Sequence, residues 1–385
     1  MSLRRAKPAT CRAVSWPRRW PAVALVAAGA LALGTFGGAP AIAAPGSPRP
    51  ACRAPAAAGV TTETIPVDGA IRSYRLAVPA GRGAKRPPLI LNFHGYGSNA
   101  RDQAFYSQLE VKGPARGFVV ATPQGTGTPA FWNILPQLAH PDDVALAAAI
   151  IDRLEVTSCV DPSRVYVTGI SNGGGLTSEL GCRLTRQLAA IAPVAGVNIV
   201  AGCPRGLPIS VLVFHGNADG TVPYQGGDPG GLLQGDQLPS VPQAVATWAD
   251  HDRCAAKPVV RQVSVHVVRT GYSHCAAGVQ VQLYTIEGGG HTWPGALNVT
   301  RLGAVTQEIN AADLMLTFFS HFHRPANRPT AGPQPDRTMR RYLEVAAALS
   351  RAGAIDATPS VRSYMKREQR GVQAPGCSTP RLGSL

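Results

Sequence analysis

The 385-residue chain has no apolar run long enough to cross a bilayer as a permanent helix, no C-x-x-C pair, no internal repeat, and almost no net charge over its middle. Each absence removes a class of protein. The longest apolar run, Ala22 to Leu33, falls well short of the roughly 20 residues a spanning helix needs, so no stable membrane span is expected. Without C-x-x-C spacing a zinc site has no support, and neither a metal nor an organic cofactor is implied. The formal charge of +15 suggests a nucleic-acid partner until it is located. Residues 1 to 43 hold six basic and no acidic residues, and residues 324 to 385 hold eleven basic and four acidic, so the intervening 280 residues carry only +2. A groove that tracks phosphates needs Lys and Arg clustered in the folded part, and nucleic acid is therefore not an expected partner.

What is present at the two ends explains their charge. Arg4, Arg5, Lys7, Arg12, Arg18 and Arg19 precede the apolar run, and Ala41 and Ala43 offer small side chains to a peptidase. Residues 1–43 therefore read as a signal peptide cleaved after Ala43, which makes the mature protein extracellular. The general secretory route is expected, with twin-arginine export through Arg18-Arg19, between Pro17 and Pro21, as the alternative. Residues 44–60 form a linker rich in Pro, Ala and Gly. Residues 61–323 are long enough to bury one large core, and a monomer is expected. Residues 324–385 are rich in Pro, Arg and Ala and are expected to be a disordered tail, with a short docked helix over Arg340 to Arg351 as the alternative. Six cysteines remain after Cys11 and Cys377 are set aside: Cys52, Cys159, Cys182, Cys203, Cys254 and Cys275. In an exported chain they imply three disulfides. Cys254 with Cys275 is the favoured pair, since both lie near the last insertion before the final strand.

Thr61 to Val67 and Ser73 to Val78 are β-rich stretches joined by Asp68-Gly69, a hairpin turn. Compact apolar runs follow at Leu89 to Phe93, Phe118 to Ala121, Val165 to Thr168, Ala189 to Ala192, Ile209 to Phe214 and Val279 to Tyr284. Most lack alternation, as strands covered on both faces do. Helical stretches lie between several of them: Asp142 to Leu154, Val241 to Asp250 and Ile309 to Phe322. Alternating strands and helices over this length predict an α/β class protein with a mainly parallel, doubly wound sheet in a single domain.

Gly169-Ile170-Ser171-Asn172-Gly173 is a G-x-S-x-G sequence directly after one of these strands and before a helical stretch near Gly174. In that context it reads as a tight strand-to-helix turn that presents Ser171 as a nucleophile, the rival reading being a glycine-rich loop. Serine needs a base and an orienting acid, which follow it in the order Asp then His. Asp219, in His215-Gly216-Asn217-Ala218-Asp219, follows the strand ending at Phe214. His291, in Gly288-Gly289-Gly290-His291-Thr292-Trp293-Pro294-Gly295, follows the strand ending near Ile286. Asp219 also fits a turn former beside Gly220, and His291 a loop histidine. The remaining histidines, His94, His140, His215, His251, His266, His274, His321 and His323, are weaker candidates for the base. Phe93-His94-Gly95-Tyr96-Gly97-Ser98 lies at another strand end. The backbone N–H groups of Tyr96 and Asn172 are the expected oxyanion donors. His94 is expected to shape this loop and lie next to substrate, and Trp293 either walls an acyl pocket or packs.

These segments resemble the secreted esterases of the polyhydroxybutyrate depolymerase and feruloyl esterase type, relatives of carbohydrate esterase family 1. The resemblance runs from about Gly59 to Phe322 and shows in Thr61 to Ile65, Phe93 to Gly97, Pro123-Gln124-Gly125, Asp142-Asp143-Val144, Gly169 to Gly174, Phe214-His215-Gly216 with Asp219, and Gly289 to Gly295. It implies an α/β-hydrolase fold and a serine esterase with Ser171, Asp219 and His291 as triad and no cofactor. It further implies an ester substrate, most directly a feruloyl or acetyl ester of plant cell-wall polysaccharide. A hydroxyalkanoate polyester depolymerase is the second reading, and an exported binding protein or antigen without turnover the third. With no polymer-binding module after the core, soluble oligomeric esters are the expected form of the substrate.

Overall fold

The computed structural model describes residues 56–80, 86–134, 141–200, 203, 206–228 and 237–324. The expected signal peptide, the tail beyond Arg324, Cys11, Cys52, Cys377 and His140 lie outside them. Regular structure begins with β1 (Gly59–Val67), two residues inside the span assigned to the linker. It pairs antiparallel with β2 (Ala70–Val78) through Asp68 and Gly69, whose φ values of 55° and 81° are those a two-residue hairpin turn requires.

The unbroken apolar runs form the centre of the sheet. Five strands, β3 (Leu89–Phe93), β4 (Val119–Pro123), β5 (Val165–Ile170), β6 (Ala190–Val194) and β7 (Ser210–Gly216), are buried at every residue. Near one edge come β8 (Val259–Ser264), β9 (Val267–Tyr272) and β10 (Val281–Ile286). Ten strands make one sheet in the order β1-β2-β4-β3-β5-β6-β7-β10-β9-β8. The six from β4 through β3, β5, β6 and β7 to β10 are parallel, and the flanks are antiparallel.

Because successive strand residues point to opposite faces, each strand feeds two cores. Leu91, Phe93, Val167 and Val213 face one layer, with Leu146 and Ile150 of α3 (Asp143–Thr157), Leu180 of α4 (Asn172–Arg183) and Trp248 of α5 (Val241–His251). Ile90, Val120, Tyr166 and Phe214 face the other, with Met315 and Phe319 of α6 (Ala311–His321) and Leu109 from the region of α1 (Ala100–Ser107) and α2 (Leu109–Ala115). Tyr166 stacks on Phe319 with ring centroids 4.6 Å apart. Each such fully buried large apolar side chain contributes roughly 1.5–3 kcal/mol relative to exposure. The helices start at side-chain caps: Asp142 accepts from Ala145 N at 2.9 Å, and Asn310 from Asp313 N at 3.1 Å. Ser240 and Gln243 form a reciprocal capping box ahead of α5. Helices on both faces of a mainly parallel sheet, in this strand order, make the α/β-hydrolase fold.

Two parts of the fold have no counterpart in the sequence reading. The ribbon β8–β9 extends the sheet into solvent, with Val259 and Val260 exposed on the edge strand. A strand without a buried face carries no period-2 pattern to find. Helices α1 and α2 were missed because α1 buries polar residues. Gln103 Nε2 donates to Asn92 Oδ1 at 2.8 Å, and Asn92 Nδ2 to Ser107 Oγ at 2.9 Å, so the inner face of the helix does not read as apolar. In α2, Gly113 and Pro114 are both weak helix formers.

Cys254 is bonded to Cys275, as favoured from their positions, and Cys182 to Cys203; Cys159 is disulfide-bonded as well. The Cys254–Cys275 bridge closes a 21-residue separation that contains both strands of the ribbon. Replacing both cysteines with alanine is expected to lower unfolding free energy by about 3 kcal/mol, measured by urea denaturation, while circular dichroism keeps the helical signal. An unchanged midpoint would show that the ribbon is held by its strand pairing alone.

Candidate active site

Four strand ends converge on the site, those of β3, β5, β7 and β10, at the carboxyl edge of the sheet where open α/β folds bind ligands. β5 is one of the two central strands of the sheet, flanked by β3 and β6. Between its end and α4, Ser171 takes φ 58° and ψ −124°, a left-handed conformation that costs a non-glycine residue of order 1–3 kcal/mol. Neighbouring bonds hold it there: Ser171 N donates to Val194 O at 3.0 Å, and Gly175 N to Ser171 O at 2.9 Å. The two glycines of the motif are needed for close approach. A Cβ on Gly169 would lie 2.7 Å from Phe93 O, and one on Gly173 would overlap the carbonyls of Phe93 and His94. With no side chain at either position, the end of β3 presses against the turn. The loop Gly95-Tyr96 then lies beside the serine, and a Cβ on Gly95 would stand 3.3 Å from Ser171 Cβ.

Asp219 and His291 meet across the ends of β7 and β10. His291 Nδ1 lies 2.7 Å from Asp219 Oδ2, and both residues are buried. Asp219 Oδ1 accepts from Thr221 N and Val222 N, each at 2.8 Å, which fixes the carboxylate in its own turn. His215 adds a contact the sequence reading did not assign. Its Nε2 lies 3.3 Å from Asp219 Oδ2 and 2.9 Å from Val222 O, so it carries the proton there. Its Nδ1 is buried with no partner among the described residues. Burial alone would raise the Asp219 carboxyl, but the hydrogen bonds from His215 and His291 outweigh it and hold the group well below the usual carboxylate range. His291 is itself anchored, its N–H donating to Leu302 O at 2.7 Å.

Ser171 and His291 line one cavity of about 620 Å³, together with Tyr96, Phe131, Trp132, Ile134, Ile199, Val222 and Leu238. A second lobe of about 310 Å³ shares Ser171, His291 and Tyr96 and is walled by Phe105, Tyr106 and Leu297. Asp219 stands behind His291 and lines neither lobe. Among the described residues, neither the Tyr96 nor the Asn172 backbone N–H donates to a backbone carbonyl.

The two side chains expected at the substrate line neither lobe. His94 is fully buried under the loop: Gly125 N donates to its Nε2 at 2.9 Å, and Nδ1 faces Gly95 O at 2.7 Å, so Nδ1 carries the proton. Burial lowers its tendency to take a second one. Its ring bonds tie the start of this loop to Gly125, and it lines neither lobe. Trp293 is turned into the α6 side of the core and is 1 % exposed, because the strand-end loop directs it inward while His291 faces the cavity. The aromatic wall comes instead from Phe131 and Trp132, in a segment the sequence reading passed over. Its signal was the aromatic pair Phe131-Trp132, set between Pro129 and the helix cap Asp142. Among the described residues no cluster of His, Cys, Asp or Glu is arranged to hold a metal ion.

No family model matches the chain. Over 301 residues it is 30 % identical to NocK of Nocardia uniformis subsp. tsuyamanensis, an esterase by assignment, covering 70 % of this chain and 85 % of that one. It is 33 % identical over 230 residues to feruloyl esterase B of Piromyces equi, covering 57 % of this chain but less than half, 42 %, of that relative's length. The bifunctional acetylxylan esterase/xylanase XynS20E of Neocallimastix patriciarum is 29 % identical over 157 residues, 41 % of this chain and 23 % of that one. Among solved structures, an acetyl xylan esterase from Aspergillus awamori matches with TM-score 0.48 and 14 % identity over 68 % of this chain and 99 % of that one.

The position of Asp219 makes its charge a pH-dependent contribution to stability. A carboxyl depressed below its unfolded value of about 3.9 stabilises the fold fully above that pH and loses the contribution as pH falls through its folded value. Asp219→Asn is therefore expected to be less stable than wild type in urea at pH 7 and at pH 5, with the gap narrowing below about pH 4. A gap that stays constant from pH 7 to pH 3 would mean the ionised carboxylate is not what the turn holds.

Proposed function

The chain belongs to the family of carboxylic ester hydrolases that includes feruloyl and acetylxylan esterases, and within it we propose that this protein cleaves feruloyl or acetyl esters of plant cell-wall polysaccharide through a Ser171–His291–Asp219 triad. The observation that carries the reading is one cavity with Ser171 and His291 in its lining and the buried Asp219–His291 bond behind it.

With Nδ1 of His291 committed to Asp219, Nε2 is the nitrogen left to take the Ser171 proton. The serine oxygen attacks the ester carbonyl carbon, and the carbonyl oxygen takes up negative charge between the N–H groups of Tyr96 and Asn172. Asn172 is the first residue of α4, whose first turn favours an anion, and Tyr96 lies in the loop after β3 beside it. As the tetrahedral intermediate collapses, the C–O bond to the alcohol breaks and the alcohol leaves with the proton from His291. A water then gives its proton to the same nitrogen, attacks the acyl-serine, and releases the acid and free Ser171.

The larger lobe supports an aromatic acyl group. At about 620 Å³, with Phe131, Trp132, Ile134, Ile199, Val222 and Leu238 on its walls, it has the volume and apolar lining of a site for a ring-bearing ligand. The smaller lobe, open past Phe105 and Leu297, is left for the alcohol. Export of the enzyme accords with the basic, apolar and small-residue sequence of residues 1–43 and with disulfides at Cys182–Cys203 and Cys254–Cys275. No helix among the described residues is long and apolar enough to cross a membrane.

Ser171→Ala is expected to lower kcat on p-nitrophenyl acetate by on the order of 10⁶, as loss of the nucleophile does in comparable hydrolases. Wild-type protein should turn over methyl ferulate with higher kcat/KM than oligomers of hydroxybutyrate. Near-normal turnover by the alanine variant would reject the nucleophile, and preference for the oligomers would move the substrate class to polyesters.

A further inference from the structure

We propose that Trp132 is a positioning residue that sets the distance between the two oxyanion donors by clamping their parent segments to each other. The proposal rests on the reading of Ser171 as nucleophile and extends it to a residue that reading does not use.

Tyr96 and Asn172 come from different parts of the chain, the loop after β3 and the first residue of α4, and no direct hydrogen bond between them is present among the described residues. Trp132 bonds to both segments. Its backbone N–H donates to Asn172 Oδ1 at 2.6 Å, and its carbonyl accepts from Asn172 Nδ2 at 3.0 Å, a two-point grip on the amide of one donor residue. Its indole Nε1 donates to His94 O at 2.7 Å, two residues before Tyr96 in the other segment. The indole also lies against the His94 ring, with centroids 4.7 Å apart, and packs edge-on to Phe93 at 5.1 Å. Every polar group of Trp132 is thus spent on one donor segment or the other. The residue is 1 % exposed, so these bonds form away from competing water.

The clamp is braced from behind. Gly97 N donates to Ala130 O at 2.7 Å, and Asn133 N to Asp143 Oδ2 at 2.7 Å. The other Asp143 oxygen is in a buried ion pair with Arg72 at 2.8 Å. The strand β2, the first residue of α3 and the loop after β3 therefore converge on residues 130–133. Oxyanion stabilisation depends on donors held about 2.7–3.1 Å from where the charge develops, and a misplacement of about 1 Å can cost on the order of 10² in rate. A loosened clamp leaves both N–H groups present and only their separation uncertain. That defect falls on the transition state and spares ground-state binding.

Trp132→Phe keeps a ring in the same place and removes only the indole donor to His94. Asn172→Ala keeps the backbone N–H and cuts the grip from the other side, without opening a large void. Each is expected to lower kcat on p-nitrophenyl acetate by about 10- to 100-fold with KM within about twofold, while the melting temperature stays close to wild type. The double variant should fall by much less than the product of the two, since both loosen one clamp. If Trp132→Phe fails to fold, Asn172→Ala alone carries the test. Wild-type kcat in both variants, or a raised KM with kcat unchanged, would overturn the proposal and leave Trp132 as a wall of the cavity. Those results with an inactive Ser171→Ala would sink the clamp alone, whereas an active Ser171→Ala would remove the parent reading and the clamp with it.

Discussion

The contact between the end of β3 and the turn joining β5 to α4 is the constraint on which the rest of this site depends. Gly169 and Gly173 let carbonyl groups of Phe93 and His94 sit where side chains would otherwise be. That contact does two things at once. It holds Ser171 in a left-handed conformation at the edge of the sheet, and it brings the Tyr96 loop alongside. Neither consequence is local to the serine. The strain of order 1–3 kcal/mol at one residue is sustained because β5 lies between β3 and β6, both of which feed the buried layers on the two faces of the sheet.

The second feature is a buried charge with a full set of partners. Removing a carboxylate from water is costly unless hydrogen bonds replace its hydration. Asp219 receives four donors, two backbone N–H groups from its own turn and one imidazole from each of His215 and His291. The turn therefore defines where the carboxylate points, and the carboxylate defines the ring orientation of His291. His215 completes the set from β7, where the same strand that ends at Gly216 presents it inward. The chemistry proposed for the site needs one histidine to exchange protons and the other to stay put. His215 is tied through Nε2 to Val222 O and beside Asp219 Oδ2, which suits it to the second task.

Much of this was legible in the sequence, for a physical reason. A strand buried on both faces must be apolar at every position, so the segments around Leu91, Val167 and Val213 announce themselves. Tight turns at their ends demand glycine, so Ser171, Asp219 and His291 stand out beside it. What stayed hidden was whatever lacked one of these signatures. The edge strand β8 has no buried face, and α1 buries Gln103 and Ser107 instead of leucines. Trp132 sits in irregular chain, where its role depends on partners 38 and 40 residues away. The direction of a side chain at a strand end was equally invisible. Trp293 and His291 are two residues apart in one loop, yet one packs against α6 and the other lines the cavity.

The central claim is that one hydroxyl, raised on this turn, becomes acylated. Its most direct measurement is covalent capture of the full-length enzyme with a fluorophosphonate, followed by intact mass and peptide mapping. The account predicts a single phosphonyl group per chain, carried by Ser171, with hydrolysis lost in proportion to labelling. An adduct on any other side chain, or hydrolysis that survives complete labelling of Ser171, would contradict it.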